Sequence, residues 1–380
     1  MKQLLAIVSV ACAGLVQPCL GQLFNFGINR VPDLGPSSIS GVLGINTDRT
    51  AFVYSAYSIQ LRNQAFRVDA GGSAVLLNPG SRNDVYRNVN ESLDAFALTR
   101  GIARPEAMYQ RFGEAPVPLG VRGGYAASEA TLINRAGDIV YGYDYIEDSP
   151  TSTYFGEPFR WTPTGGRQNL GHVTSHAIFT EITSISNDGN IAVGYSGSQG
   201  NGQVFTWTPM NGYTLLPPPV GGNTVLGAGI SSDGRIVVGG AGAGGGTFHA
   251  AIWRDFSQPP QLLTDWHQSS AEYIVRDGTM VIGQGRRNEP GIGPDSALWA
   301  FIWTPETGMM RPTAYLASVG IDLPAGTIIQ RFSYVSDDGT MLGCTLDTPT
   351  GSYGALIVIP APASVLMLAL GMAPFARRRR

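Results

Sequence analysis

The sequence predicts an all-β fold, a seven-bladed β-propeller of four-stranded repeats of about 44 residues, and three observations carry that prediction. The first is composition. Gly 50 and Pro 25 in 380 residues, only 14% charged residues and no long amphipathic helical pattern describe many short strands joined by turns. The second is repetition: "ITSISNDGNIAVGYS" (182–196) has close copies at "GAGISSDGRIVVGGA" (227–241) and "AEYIVRDGTMVIGQG" (271–285). The third is that runs such as "RIVVG" are apolar at consecutive positions, so both faces of their sheet are covered.

Further copies follow at "TLINRAGDIVYGYD" (131–144), with Ala136 in the Asp position, and "SYVSDDGTMLGCT" (333–345), one residue short before its Gly. Worn copies begin at Gly44 and Asn88. Anchored on the apolar residue that opens each motif, the units fall at Ile45, Val89, Ile133, Ile185, Ile230, Ile274 and Val335, spaced 44, 44, 52, 45, 44 and 61.

Each unit reads as four strands. The first ends at the anchor, an Asp-Gly turn supplies the positive φ a tight reversal needs, and "IAVG" or "IVVG" is the second. The third carries Phe or Trp, as in "FRWTP" from Phe159, "FTWTP" from Phe205 and "AFIWTP" from Ala300, and "TPTGG"-type turns lead to a short fourth. A four-stranded unit of this length has the size of a propeller blade; an open β-repeat stack is the alternative. "FNFGINRVPDLG" (24–35) has the spacing of the second half of a unit, and the seventh unit stops soon after its third strand. Half a blade from each end would complete one shared blade and close the ring.

The repeat domain, residues 22–359, is flanked by two segments of different character. Residues 1–21 carry one charge, an apolar stretch from Leu4 to Val16 and small residues near Gly21, the pattern of a cleavable secretory signal peptide. Cys12 and Cys19 would leave with it, and Cys344 alone cannot form an internal disulfide. At the other end, residues 360–376 are 17 uncharged positions followed by Arg377, Arg378, Arg379 and Arg380. That is the lower limit for spanning a bilayer, with a basic cluster to hold the cytoplasmic side. Removing Lys2 and those four Arg from 25 basic residues leaves 20 against 28 acidic ones, a net charge of −8, which argues against nucleic acid as a partner.

The "ISxDGxxxxG" and "AFxW" units over residues 45–359 resemble the bacterial extracellular HAF repeat, with His176-Ala177-Ile178 and His249-Ala250-Ala251 as its tripeptide. The tail is similar to a PEP-CTERM sorting signal: Pro360, Ala361, Pro362, an apolar segment from Ala363 to Ala376, then the Arg cluster, with Ala361 where that family has Glu. The resemblance implies an exported protein sorted through its C-terminus, with an exosortase-type membrane protease as partner.

Candidate chemistry is sparse. Gly240, Gly242 and Gly245 have G-x-G-x-x-G spacing, but "TFHAAIWR" continues as a strand and offers no helix N-terminus to a phosphate. His172 and His176, near Glu181, stand four apart as on a zinc-binding helix, yet their surroundings read as loop and strand, so no metal is expected. Asp188, Asp233, Asp277 and Asp338 read as turn formers rather than calcium ligands, and Trp161, Trp207, Trp253 and Trp303 as packing between blades.

Length variation says more. The connection between second and third strands is long at 143–158 and 284–299, and it shares a rim with the connections between blades. Binding residues favour such loops on a rigid scaffold, which makes Tyr143, Tyr145, Glu147, Asp148, Arg286, Arg287, Glu289 and Asp295 the ligand-binding candidates. The expected function is a non-enzymatic binding or structural role at the cell surface or in the extracellular matrix, without cofactor, with an extracellular polysaccharide or surface protein as partner. A propeller enzyme acting on extracellular glycans is the alternative and needs carboxylates converging on a central cleft. A purely structural surface-layer protein is a third.

Overall fold

The computed structural model describes residues 27–30, 39–58, 62–69, 74–77, 84–101, 104–148, 153–174, 177, 179–198, 201–242, 248–275, 278–286 and 298–359. They form seven four-stranded antiparallel sheets. One strand, β1 (Gly27–Arg30), precedes the first complete blade, β2 (Ile39–Ile45), β3 (Phe52–Ser58), β4 (Arg62–Val68) and β5 (Ala74–Leu76). The second is β6 (Asp84–Val89), β7 (Ala95–Arg100), β8 (Glu106–Arg111) and β9 (Val117–Pro118). The third is β10 (Ala127–Ile133), β11 (Val140–Asp148), β12 (Thr153–Thr162) and β13 (Gly166–Asn169). The fourth is β14 (Phe179–Ile185), β15 (Ala192–Ser198), β16 (Asn201–Thr208) and β17 (Gly212–Leu215). The fifth is β18 (Asn223–Ile230), β19 (Val237–Gly242), β20 (Phe248–Trp253) and β21 (Gln261–Leu263). The sixth is β22 (His267–Val275), β23 (Met280–Arg286), β24 (Trp299–Thr304) and β25 (Gly308–Met310), followed by α1 (Pro312–Ser318). β26 (Ile328–Val335), β27 (Met341–Thr348) and β28 (Gly351–Val358) make the seventh blade, and β1 is its fourth strand.

The ring closes in a 1 + 3 arrangement. β1 lies antiparallel to β28, Gly27 opposite Val358 and Arg30 opposite Ala355, and β2 packs on β26, β27 and β28. The N-terminal share of the seam is one strand, not half a blade. First strands of successive blades contact one another around most of the ring, while the short fourth strands pair with the third strand of their own blade, so the first strands surround the axis. Two rims follow. Turns between first and second and between third and fourth strands occupy one, the turn rim. Connections between second and third strands and between blades occupy the other, the loop rim.

The uneven spacings have local causes. The 52-residue interval comes from β11 and β12 growing into a long hairpin, paired from Val140–Trp161 out to Asp148–Thr153. The expected loop at 143–158 is therefore mostly strand. The 61-residue interval holds α1, which Pro312 opens at a first-turn position that needs no N–H. Tyr315, Leu316 and Ile321 bury there against Ile282, Ile329 and Leu346, capping the core between the sixth and seventh blades.

The core lies between blades. Trp207 meets Tyr141 of the preceding blade edge-on at 6.1 Å, and Trp161 meets Tyr109 at 4.8 Å. Trp253 is fully buried among Val193, Val204 and Leu216 of the blade before it, its indole N–H on the Pro217 carbonyl at 2.9 Å. Trp253→Ala should lower stability by about 3–5 kcal/mol in urea titration, as expected for a large buried ring leaving a cavity; a loss under about 1 kcal/mol would remove the inter-blade role.

The Asp-Gly turns are held by their own side chains. Asp188 accepts from Ser186 Oγ at 2.5 Å and the Asn190 N–H at 3.0 Å, and Gly189 takes φ 71°. Asp233 accepts from Ser231 Oγ and the Arg235 N–H in the same way. Hydrogen bonds from Ser186 and Ser231 hold these two carboxyls below their ordinary value. A depressed folded-state pKa contributes stability above the unfolded value near 4 that fades as pH falls through the folded one. Melting temperature should therefore drop as pH falls below about 4, and Ser186→Ala should flatten that drop; an unchanged acid profile in the variant would sink this assignment.

A bulge recurs in the first strands two residues before the anchor, at Leu43, Arg87, Thr131, Thr183, Glu272 and Ser333, and within 226–229 in the fifth blade. Such bulges re-aim side chains. Here they do so on the strands that line the axis.

Candidate functional site

On the turn rim the channel is closed by polypeptide. The residues after the Asn or Ser that opens each first turn, Thr47, Glu91, Arg135, Asn187, Ser232 and Asp337 among the described residues, form a circle at this rim. Backbone hydrogen bonds link neighbours around this circle, from Glu91 N–H to Arg135 C=O (3.3 Å), Arg135 to Asn187 (3.1 Å) and Asn187 to Ser232 (2.9 Å). Side chains then cross it. Arg135 of the third blade reaches Glu91 at 3.3 Å and Asp337 of the seventh at 3.5 Å, and Asn187 of the fourth donates to Asp337 at 2.8 Å. Contacts between non-adjacent blades require that these turns converge on the axis.

Toward the loop rim, charged groups on the first strands of blades two to four gather with phenols from the second strands of blades three and four. Glu129 Oε2 accepts from Arg87 Nη2 and from the Tyr143 hydroxyl, each at 3.1 Å. One blade on, Glu181 Oε2 accepts from Tyr195 at 2.7 Å. Glu129 and Glu181 stand four residues before their anchors and pair in register with Tyr143 and Tyr195, so the Glu–Tyr unit is a repeated feature. Burial and then the neighbouring glutamates push both phenols well above their ordinary range, which keeps them protonated donors. Across the channel, burial raises the Glu272 carboxyl and the positive charge of Arg331 opposes it.

A second ionic cluster lies further out on the third blade. Asp144 and Glu157 are cross-strand neighbours, both buried; Arg167 pairs with Asp144 and Arg122 with Glu157, while Tyr125 donates to Glu157 at 2.6 Å. Burial raises the Asp144 carboxyl and takes the Tyr125 phenol to about 12. Arg167 also lies over the Phe159 ring at 3.8 Å. Each carboxylate is already neutralised, so the cluster clamps the interblade connection at Arg122–Tyr125 onto the sheet.

Of the residues singled out by loop length, Tyr143 falls in the inner cluster. Tyr145 is buried on the same strand, ring centroid 5.9 Å from Tyr143, and Glu147 and Asp148 pair with Tyr154 and Thr153 toward the hairpin tip. Arg286 ends β23, with its Nε buried and without a hydrogen-bond partner. Arg287, Glu289 and Asp295 lie outside the described residues, as do His176, Asp277 and all of 360–380, including Pro360, Ala361, Pro362 and the Arg cluster. His172 Nδ1 sits 3.2 Å from Thr180 Oγ1, while Glu181 is occupied by Tyr195. Among the described residues no three His, Cys, Asp or Glu side chains are grouped to hold a metal, and no helix is long and apolar enough to cross a membrane. Glu129, Glu181 and Arg87 were missed by loop length because they sit on strands; "SEATLI" and "TEITSI", set in register, mark the two glutamates.

No protein-family model and no curated protein matches the chain. Its likeness is to solved propellers. An oligogalacturonate lyase from Vibrio parahaemolyticus is similar over 90% of this chain and 98% of its own, at 10% identity and a TM-score of 0.59. The β-propeller domain of the Trilobed protease from Pyrococcus furiosus, described as having an open velcro topology, is similar over 90% and 99%, at 8% identity and 0.52. A prolyl endopeptidase is matched at 11% identity and 0.51, the chain spanning 47% of its length. At these identities the likeness concerns the fold. The pairing of β1 with β28 distinguishes this ring from an open one.

Proposed function

We propose that this chain is an exported β-propeller of the cell surface or extracellular matrix, with a non-enzymatic binding role exercised from the loop rim and sorted through its C-terminal tail. One observation carries the binding part. The circle through Arg135 crosses the axis at the turn rim, while the Arg87–Glu129–Tyr143 and Glu181–Tyr195 groups lie on the first and second strands nearer the loop rim. A ligand then enters from the loop rim and meets carboxylates and phenols, a chemistry suited to the hydroxyl groups of an extracellular polysaccharide. The apolar opening segment and the apolar, Arg-terminated tail support export and sorting. A non-catalytic role is favoured because the cross-strand pair Asp144 and Glu157 is neutralised by Arg167 and Arg122, leaving neither free for acid–base work.

The test is a glycan array with the mature body beside a hydrolysis assay on each glycan retained. Binding without cleavage is expected, and Glu129→Gln should weaken it at least about tenfold while the melting temperature stays within about 2 °C. Cleavage of a retained glycan sinks the non-enzymatic reading. Ordered self-assembly with no glycan retained points instead to the surface-layer role.

A further inference from the structure

We infer that the turn rim, the closed end of the channel, faces the membrane, and that the loop rim faces away from it. The inference rests on the tail of the proposed exported protein acting as a membrane anchor, which the 17 uncharged residues before the Arg cluster suggest, and adds the orientation of the bound body. Its structural basis is where the two chain ends leave the ring. β28 is a third strand and runs from the loop rim to the turn rim: Gly351 follows the second-to-third turn, and Ile359 N–H bonds Thr340 C=O at 2.8 Å in the Asp-Gly turn of its blade. β1 is antiparallel to it and begins opposite Val358. Both flanking segments therefore join the body at one place on the turn rim, beside the seventh blade.

Sequence sets the tether length. Only Pro360, Ala361 and Pro362 separate buried Ile359 from the apolar stretch that starts at Ala363. The four residue steps from Ile359 to Ala363 reach at most about 14 Å. The eight residues of β28 rise about 27 Å between the rims. A tether shorter than the blade is high cannot let the body turn over, so the loop rim cannot face the lipid while the turn rim at the attachment point stays beside it. The entry to the channel then points outward, toward whatever the protein meets. Residues 22–26 join the preceding segment to β1 at the same rim, so an uncut N-terminal segment holds the body the same way up.

Two exposed apolar residues on the fourth blade and its following connection allow a matched test. Met210, 91% exposed, lies in the third-to-fourth turn, and Val220, 92% exposed, in the connection to the fifth blade. Full-length Met210→Cys and Val220→Cys chains, each also carrying Cys12→Ser and Cys19→Ser, take a fluorophore at one site, because Cys344 is buried. Each is reconstituted by detergent removal into phosphatidylcholine–phosphatidylglycerol vesicles with nitroxide on the lipid headgroup. Quenching at position 210 at least about twice that at position 220 is the expected result, since contact quenching falls away within a blade height. Equal or reversed quenching in chains that float with the vesicles overturns the orientation and leaves the anchor standing. Chains that do not float overturn the anchor and the orientation together, while glycan retention by the body tests the binding role separately.

Discussion

Gly194→Ala is expected to cost more than about 3 kcal/mol or to prevent folding, because overpacking here is against backbone and no side chain can yield. A Cβ at this position would stand 1.8 Å from the Glu181 carbonyl oxygen and 2.8 Å from the Phe205 ring. The carbonyl is held by the first-strand bulge between Ile182 and Ser184, and the ring is fully buried, so neither can withdraw without losing a ladder bond or a core contact. The same approach recurs at Gly142, where the Glu129 carbonyl lies 2.0 Å from the added carbon, and at Gly283, where the Ser270 carbonyl lies 2.1 Å away. A control separates this from conformational freedom. Gly212 has φ 65° but nothing within 4 Å of an added Cβ, so Gly212→Ala should cost only about 1–2 kcal/mol, the penalty of a left-handed Ala. Urea titration of both decides the matter. Equal losses in the two variants would mean that close approach plays no part.

These glycines explain how the repeat could be read so far ahead of the structure. The "DGxxxxG" spacing records a turn that needs positive φ and, five residues on, a second strand that must pass under a bulged first strand; both demands recur in blade after blade, so the letters recur. The blade number, the four-strand meander, the shared closing blade and the packing role of Trp207 and Trp253 all follow from repetition. What repetition does not specify stayed hidden. α1 fills one gap of one unit, and β11 and β12 prolong one hairpin, so neither has a second copy to be compared with. The inner cluster was only partly legible for a related reason. Loop length points to rims, and it found Tyr143 because that residue opens the long connection expected at 143–158, whereas Glu129, Glu181 and Arg87 occupy first strands that read simply as core. The closing of the channel depends on Arg135 reaching across the axis to Asp337, more than 200 residues away in sequence, a contact only ring closure creates.

That closure makes β1 the second position of large expected effect. Removing residues 1–26 should leave the melting temperature within about 2 °C, whereas removing residues 1–30 should lower stability by about 2–5 kcal/mol and promote aggregation. Only four residues separate the two chains, and they carry the register from Gly27–Val358 to Arg30–Ala355. Each ladder bond contributes about 1 kcal/mol net. The larger consequence is topological. β1 belongs to the seventh blade while its chain continues to the first, so residues 30–39 are the covalent link across the seam. Without β1 that seam keeps its packed faces, Val42, Phe52 and Tyr54 against Met341, Leu356 and Val358, and the Arg49 contacts to Asp338 and Thr340 at the turn rim, but loses its strand pairing. The outer edge of β28 would also lose its partner along a stretch whose side chains, Ala355 to Val358, are apolar and buried, the composition most prone to pair with another chain. A non-adjacent contact reports the same event: an opened seam separates Asp337 from Arg135 and Asn187, so glycan retention should fall with the shortened chain if the closed channel end supports the site. Equal melting and sedimentation for the two truncated chains would show that the ring holds without its N-terminal strand, and would remove β1 from the account of closure.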